Sequence, residues 1–133
     1  MDILRKLKKR TILLVDDDEW IRDSLSIYFE TEDYRISAHE TAEKALVELE
    51  RRKFDVVITD YRLPGMDGIV FLEKIKKSHA GAIKIMISAY ATEAVTRRAK
   101  QAGAQYLIPK PFTSKSIMAC LNRLTTDESI DLR

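Results

Sequence analysis

Cysteine is nearly missing: Cys120 is the only one in 133 residues, so no disulfide can close within the chain. Its neighbours Ile117, Met118, Leu121 and Leu124 follow helical spacing, which makes Cys120 a buried, inert thiol rather than a reactive one. The two histidines, His39 and His79, lie far apart and no cysteine or carboxylate accompanies them at zinc-ligand spacing. Both are therefore read as solvated. Only four glycines occur, in neither a GxGxxG nor a P-loop pattern, which argues against nucleotide binding. Long apolar runs are absent too. The longest near the start, Ile12 to Val15, is far short of a membrane span or a signal-peptide core, so a cytoplasmic protein without membrane insertion is expected. Nor does one sign of charge dominate: 23 Lys+Arg against 21 Asp+Glu leave a formal +2. That excludes a strongly basic nucleic-acid binder and an acidic disordered chain, and no direct nucleic-acid binding is expected.

What remains is the composition of one ordinary globular domain, with 45% hydrophobic residues to build its core. Short β-branched and leucine runs alternate with helical patterns. Thr11 to Val15 reads as a first strand, followed by a helix with Asp18 as its cap and Ile21, Leu25, Tyr28 and Phe29 on one face. Tyr34 to Ala38 is a second strand, and Thr41 opens a helix with Ala42, Ala45, Leu46 and Leu49 inward. Phe54 to Thr59 is the third strand, and Val70, Leu72 and Ile75 belong to the third helix. Ile83 to Ile87 is the fourth strand. Thr92 caps a weakly amphipathic helix from Glu93 to Ala102, which Gly103 stops. Tyr106 to Ile108 is the fifth strand, and Thr113 caps a last helix ending near Thr125. Five β-α units without repeats or low-complexity segments call for a parallel sheet with helices on both faces.

Four polar positions mark the ends of those strands: Asp16-Asp17 after ILLV, Asp60 after VVIT, Ser88 after IKIMI and Lys110 after YLIP. In a parallel α/β sheet these ends converge on one rim. Several carboxylates held together raise one another's pKa unless a cation compensates. Magnesium, which prefers carboxylate, carbonyl and water oxygens and completes its shell with phosphate, is the natural compensator. The Lys110 ammonium and Ser88 hydroxyl are suited to hold phosphoryl oxygens, which leaves Asp60 as a nucleophile able to form an acyl phosphate. Read one at a time, Asp16 and Asp17 are turn and cap residues, Ser88 a strand-end hydroxyl and Lys110 a surface charge, but that leaves their shared register unexplained. Asp67, within PGMDG, is assigned to loop-to-helix punctuation, and Gly65 and Gly68 to turns.

At these residues the chain resembles the receiver domain of two-component response regulators, the CheY-like superfamily. The likeness runs from Thr11 to about Thr125 and rests on ILLVDDDEWIR, VVITDYRLPGMDG, IMISA and PKPF in this order and register. The resemblance implies a doubly wound, flavodoxin-like (βα)5 fold with a five-stranded parallel sheet in the order 2-1-3-4-5. It implies that Asp60 accepts a phosphoryl group from a histidine kinase or histidine phosphotransfer protein. It implies magnesium held directly by Asp17, mainly through water by Asp16, and by Asp60 and the backbone carbonyl of Arg62, with Ser88 and Lys110 contacting the phosphoryl group. Lys110-Pro111 resembles the family's cis peptide, which aims the lysine at the site. Arg62 and Tyr90 stand two positions after Asp60 and Ser88, where such residues border the site and influence how long the acyl phosphate persists.

One departure matters. Many receivers carry an aromatic residue three positions before the lysine, coupled to the Ser or Thr; here that position is Leu107. Two resolutions are open: Leu107 supports a modified output through Ser88, the loop after it and the fourth helix, or an irregular strand lets Tyr106 substitute. The expected organisation is a basic lead-in over 1–10, containing Arg5, Lys6, Lys8, Lys9 and Arg10 among Ile3, Leu4 and Leu7, a receiver over 11–125, and a short tail over 126–133. The tail is too short for an output domain, so the chain is either a stand-alone receiver or the front of a longer regulator. The expected function is a phosphoacceptor switch rather than a turnover enzyme, passing its signal to a downstream protein or fused output domain, with homodimerisation a further option. The alternatives are a receiver-like module that binds partners without phosphorylation, and a magnesium-dependent phosphohydrolase with an aspartyl-phosphate intermediate. The second lacks support from DDDEW, which does not have the threonine of the DxDxT pattern found on the first strand of haloacid-dehalogenase-like enzymes.

Overall fold

A computed structural model describes the backbone over residues 9–131 and side chains through residue 125. The hydrophobic members of the lead-in and most of its basic ones lie outside the described residues. The elements are β1 (Arg10–Val15), α1 (Glu19–Thr31), β2 (Tyr34–His39), α2 (Ala42–Arg51), β3 (Val56–Asp60), α3 (Gly68–Ile75), β4 (Ile83–Ser88), α4 (Glu93–Gln101), β5 (Tyr106–Pro109) and α5 (Ser114–Asp131). The five strands form one sheet in the order β2-β1-β3-β4-β5, and every pairing is parallel. The expected fold is present.

Strand alternation separates two cores. Leu13 and Val15 of β1, Val57 of β3 and Met86 of β4 point to one face, where they meet Ala42, Ala45 and Leu49 of α2, Leu72 and Ile75 of α3, and Ala99 of α4. Ile12, Leu14, Val56, Ile58, Ile85, Ile87 and Ile108 point to the other, against Leu25 and Phe29 of α1 and Ile117, Cys120 and Leu121 of α5. The inner strands thus read as largely apolar runs because both of their faces are covered. Phe29 is fully buried and stands edge-on to Tyr28 and Tyr34, with ring centroids 5.1 and 5.4 Å away. Its truncation to alanine would cost about 3–5 kcal/mol.

The helix starts follow their caps. Asp18, Thr41, Asp67 and Thr92 each accept backbone N–H groups from the first turn of α1, α2, α3 and α4. Thr113 and Ser116 do the same reciprocally at the start of α5, each side chain accepting from the other's N–H. Gly103 ends α4 with φ +113°, a conformation that side chains with a Cβ resist. Asp67 is therefore structural, as expected.

Several expectations need correction. Strand β3 begins two residues later than expected, at Val56, because the Asp55 carboxylate turns back to accept the N–H and hydroxyl of Thr11; it also continues through Asp60. Helix α5 runs on to Asp131, past its expected end near Thr125. The histidines are half-buried rather than solvated. His39 Nε2 lies 3.0 Å from Ser37 Oγ and burial lowers its pKa, while His79 bridges Ser78 Oγ and the Leu49 carbonyl. Lys84, within the apolar run of β4, is buried; its ammonium donates to the His79 and Ala82 carbonyls at 2.7 and 3.3 Å, and burial lowers its pKa. Cys120 is buried as expected, and burial raises its thiol pKa. Among the described residues, no helix is long and apolar enough to cross a membrane.

Candidate functional site

Parallel register brings the four sequence positions together. Val15 pairs with Thr59, Asp60 with Ile87, and Ser88 with Pro109, so Asp16, Asp60, Ser88 and Lys110 all fall at the C-terminal edge of the central strands. The backbone beyond the last pairs extends the alignment: Tyr61 N–H donates to the Ile87 carbonyl at 2.9 Å, and Lys110 N–H to the Ser88 carbonyl at 2.9 Å. The Lys110–Pro111 peptide is cis.

The side chains converge. One carboxylate oxygen from each of Asp16, Asp17 and Asp60 lies within 4.8 Å of the others, with Asp16 and Asp60 buried and Asp17 exposed. Lys110 Nζ donates to Asp60 Oδ2 at 3.1 Å and stands 3.9 Å from Asp16 Oδ2. Asp16 Oδ1 accepts from Asp18 N–H at 2.9 Å, but Oδ2 is buried without a hydrogen-bond partner. A fully buried carboxylate oxygen left in that state is costly unless a ligand completes it.

Electrostatics express the same tension. Burial, reinforced by the Asp60 and Asp17 charges, pushes the Asp16 carboxyl from 3.8 up to about 6, although the Asp18 N–H and Lys110 pull it down. Burial also raises Asp60, against the pull of Lys110 and the Tyr61 N–H. Around Lys110, burial disfavours the ammonium, but the Asp16 and Asp60 carboxylates outweigh it and hold the lysine pKa above its ordinary value. The Lys110 ammonium carries one positive charge against the three carboxylates, so these four side chains together keep an excess of negative charge. A hard divalent cation with oxygen ligands fits this donor set.

Ser88 is buried at the rim, and its Oγ accepts from Tyr90 N–H at 2.8 Å, which leaves its own proton free to be donated. Arg62 lies in the loop after β3. Its guanidinium is 4.8 Å from the Tyr90 ring centroid and 5.8 Å from that of Tyr61, so the two large residues flanking the site pack on each other. The strand geometry around Leu107 is regular. Pairing of β5 with β4 is continuous from Tyr106 to Pro109, with no bulge, and Leu107 packs on the Met86 face while Tyr106 turns outward to lie 5.1 Å from the Arg123 guanidinium of α5. The strand irregularity that would bring Tyr106 onto the Leu107 face is absent.

Two contributors were not legible in the sequence. Gly68, read as a turn residue, opens α3 against the Asp60 main chain, where an added Cβ would meet the Asp60 carbonyl oxygen at 2.2 Å. Thr59 is buried and donates its hydroxyl to that same oxygen at 2.9 Å. The MDG pattern was the only available signal, and it is also ordinary turn punctuation.

The model for the response regulator receiver domain matches residues 12–122. Regulatory protein VanR of Enterococcus faecium is 33% identical over 81% of the chain and 46% of its own length. Transcriptional regulatory protein ResD of Bacillus subtilis is 34% identical over 80% of the chain and 44% of its own length. The chain thus spans less than half of these curated relatives. The crystal structure of a CheY-like response regulator receiver domain protein from Methanospirillum hungatei superposes with a TM-score of 0.87 at 31% identity, covering 93% of this chain and 99% of that one.

Proposed function

The chain belongs to the response regulator receiver family, and from that premise we propose that it is a magnesium-dependent phosphoacceptor in which Asp60 takes a phosphoryl group from the phosphohistidine of a histidine kinase or histidine phosphotransfer protein. The observation that carries this reading is the Lys110 ammonium 3.1 Å from Asp60 Oδ2, beside an acidic cluster whose buried Asp16 Oδ2 lacks a partner. Asp17, Asp60 and the Arg62 carbonyl would hold the metal directly, and Asp16 mainly through water. When bound, magnesium would neutralise the carboxylates and the equatorial phosphoryl oxygens.

The chain's own groups do the rest. Asp60 supplies the attacking oxygen; a new O–P bond forms as the donor's N–P bond breaks, and that bond's electron pair leaves on the imidazole nitrogen. Lys110 is placed to follow the negative charge from Asp60 Oδ2 onto a phosphoryl oxygen. Ser88 would donate a hydrogen bond to another, its Oγ already accepting one from Tyr90 N–H. The product is a changed surface rather than a released metabolite. We take the compartment to be the cytoplasm and the reader of that surface to be a downstream protein or an output domain on the same chain.

A phosphoryl-transfer assay with a small acyl-phosphate donor tests the metal and lysine roles. Phosphoryl gain in magnesium, loss of that gain in chelator, and slowing by at least roughly ten-fold in Lys110→Met support them. Gain that is indifferent to chelator contradicts them.

A further inference from the structure

Asp17, the carboxylate assigned to contact the metal directly, is exposed, and its side chain hydrogen-bonds no other group among the described residues. Its aim is therefore set by the main chain on either side. Asp16 N–H donates to the His39 carbonyl of β2 at 3.0 Å, and the Asp16 carbonyl accepts from Arg22 Nη1 at 2.8 Å. That carbonyl and the Asp17 N–H belong to one planar peptide, so holding the oxygen fixes the plane from which Asp17 departs. Asp18 closes the turn by donating its N–H to Asp16 Oδ1, and its side chain caps α1.

Arg22 sits one turn into α1, with its own N–H on the Asp18 carbonyl at 3.0 Å, while its half-buried guanidinium reaches back across the β1–α1 connection. A planar guanidinium offers rigid, permanently charged donors for such a hold. We propose that Arg22 is a positioning residue for the acidic cluster: by holding the Asp16 carbonyl, its guanidinium sets the direction in which Asp17 presents its carboxylate to a divalent cation. This inference rests on the metal-binding reading above.

Charge and position predict opposite signs. Were Arg22 only a nearby cation, its removal would leave the cluster more negative and magnesium would bind more tightly. If it positions Asp17, removal loosens the peptide and magnesium binds more weakly. The experiment is calorimetric titration of magnesium into the whole protein, wild type against Arg22→Met and Arg22→Lys, with amide spectra reporting the fold. The expected result is an affinity about ten-fold weaker for Arg22→Met, the size of one lost charge-assisted hydrogen bond. Arg22→Lys is expected to fall between the two, with amide shifts concentrated at residues 15–18. Unchanged or tighter binding in a folded Arg22→Met overturns the proposal. Should that variant fail to fold, Arg22→Lys decides: it keeps the charge, so wild-type affinity overturns the proposal and weaker affinity supports it. A wild type that binds no magnesium would instead overturn the metal reading itself, and this inference with it.

Discussion

Gly68 lies so close to Asp60 that a Cβ on it would stand 2.2 Å from the Asp60 carbonyl oxygen. The obstacle is backbone at the end of an inner strand, held in place by the Thr59 hydroxyl and by pairing of Asp60 with Ile87, so it cannot swing aside. Gly68→Ala is expected to lose about 1–3 kcal/mol of stability in urea unfolding and to slow phosphoryl gain, because relief of the overlap must move Asp60 or tilt α3. Wild-type stability and rate in this variant would show that the contact relaxes without cost.

The sheet and the convergence of Asp16, Asp17, Asp60 and Lys110 were legible because strand-end polar residues inherit their position from topology alone. Gly68 was not. A glycine that prevents a backbone clash carries the same letters as one that permits a turn, and only the tertiary approach of α3 to β3 separates them. Lys84 escaped for a related reason: its apolar neighbours disguise a lysine whose ammonium ends on the His79 and Ala82 carbonyls. The histidines read as solvated in the sequence because a serine one or two residues away does not reveal burial, and the Leu49 carbonyl becomes a neighbour of His79 only through folding.

Asp16 should make stability depend on pH in the metal-free protein. Its folded pKa of about 6 lies above the ordinary 3.8, chiefly through burial, so its contribution is most favourable below 3.8 and is lost as pH rises through about 6. Near neutral pH without magnesium, Asp16→Asn is therefore expected to be more stable than wild type by about 2–3 kcal/mol, an advantage that fades towards pH 4. Saturating magnesium should narrow or reverse the difference, since the metal stabilises only a cluster that binds it. Urea midpoints across this pH range, with and without magnesium, check each part. A wild type that outlasts Asp16→Asn at neutral pH without metal would show that the carboxylate is satisfied in some other way.

Leu107 and Tyr106 lie on opposite faces of β5. Leu107 shares its sheet face with Met86, whereas Tyr106 rests on Arg123 of α5, so a response that begins at Ser88 should reach α4 without Tyr106. On phosphorylation, the amides of Glu93–Gln101 are expected to shift in wild type and equally in Tyr106→Ala. Loss of the α4 response in Tyr106→Ala would mean that the outward tyrosine carries the signal after all.

Intact mass after incubation with magnesium and a small acyl-phosphate donor, wild type beside Asp60→Ala, is the most direct measurement of all. A phosphoacceptor at Asp60 gains a single phosphoryl group in wild type and none in the variant. A wild type that gains nothing while magnesium binding is independently demonstrated, or an Asp60→Ala protein that gains the same group, would contradict the assignment.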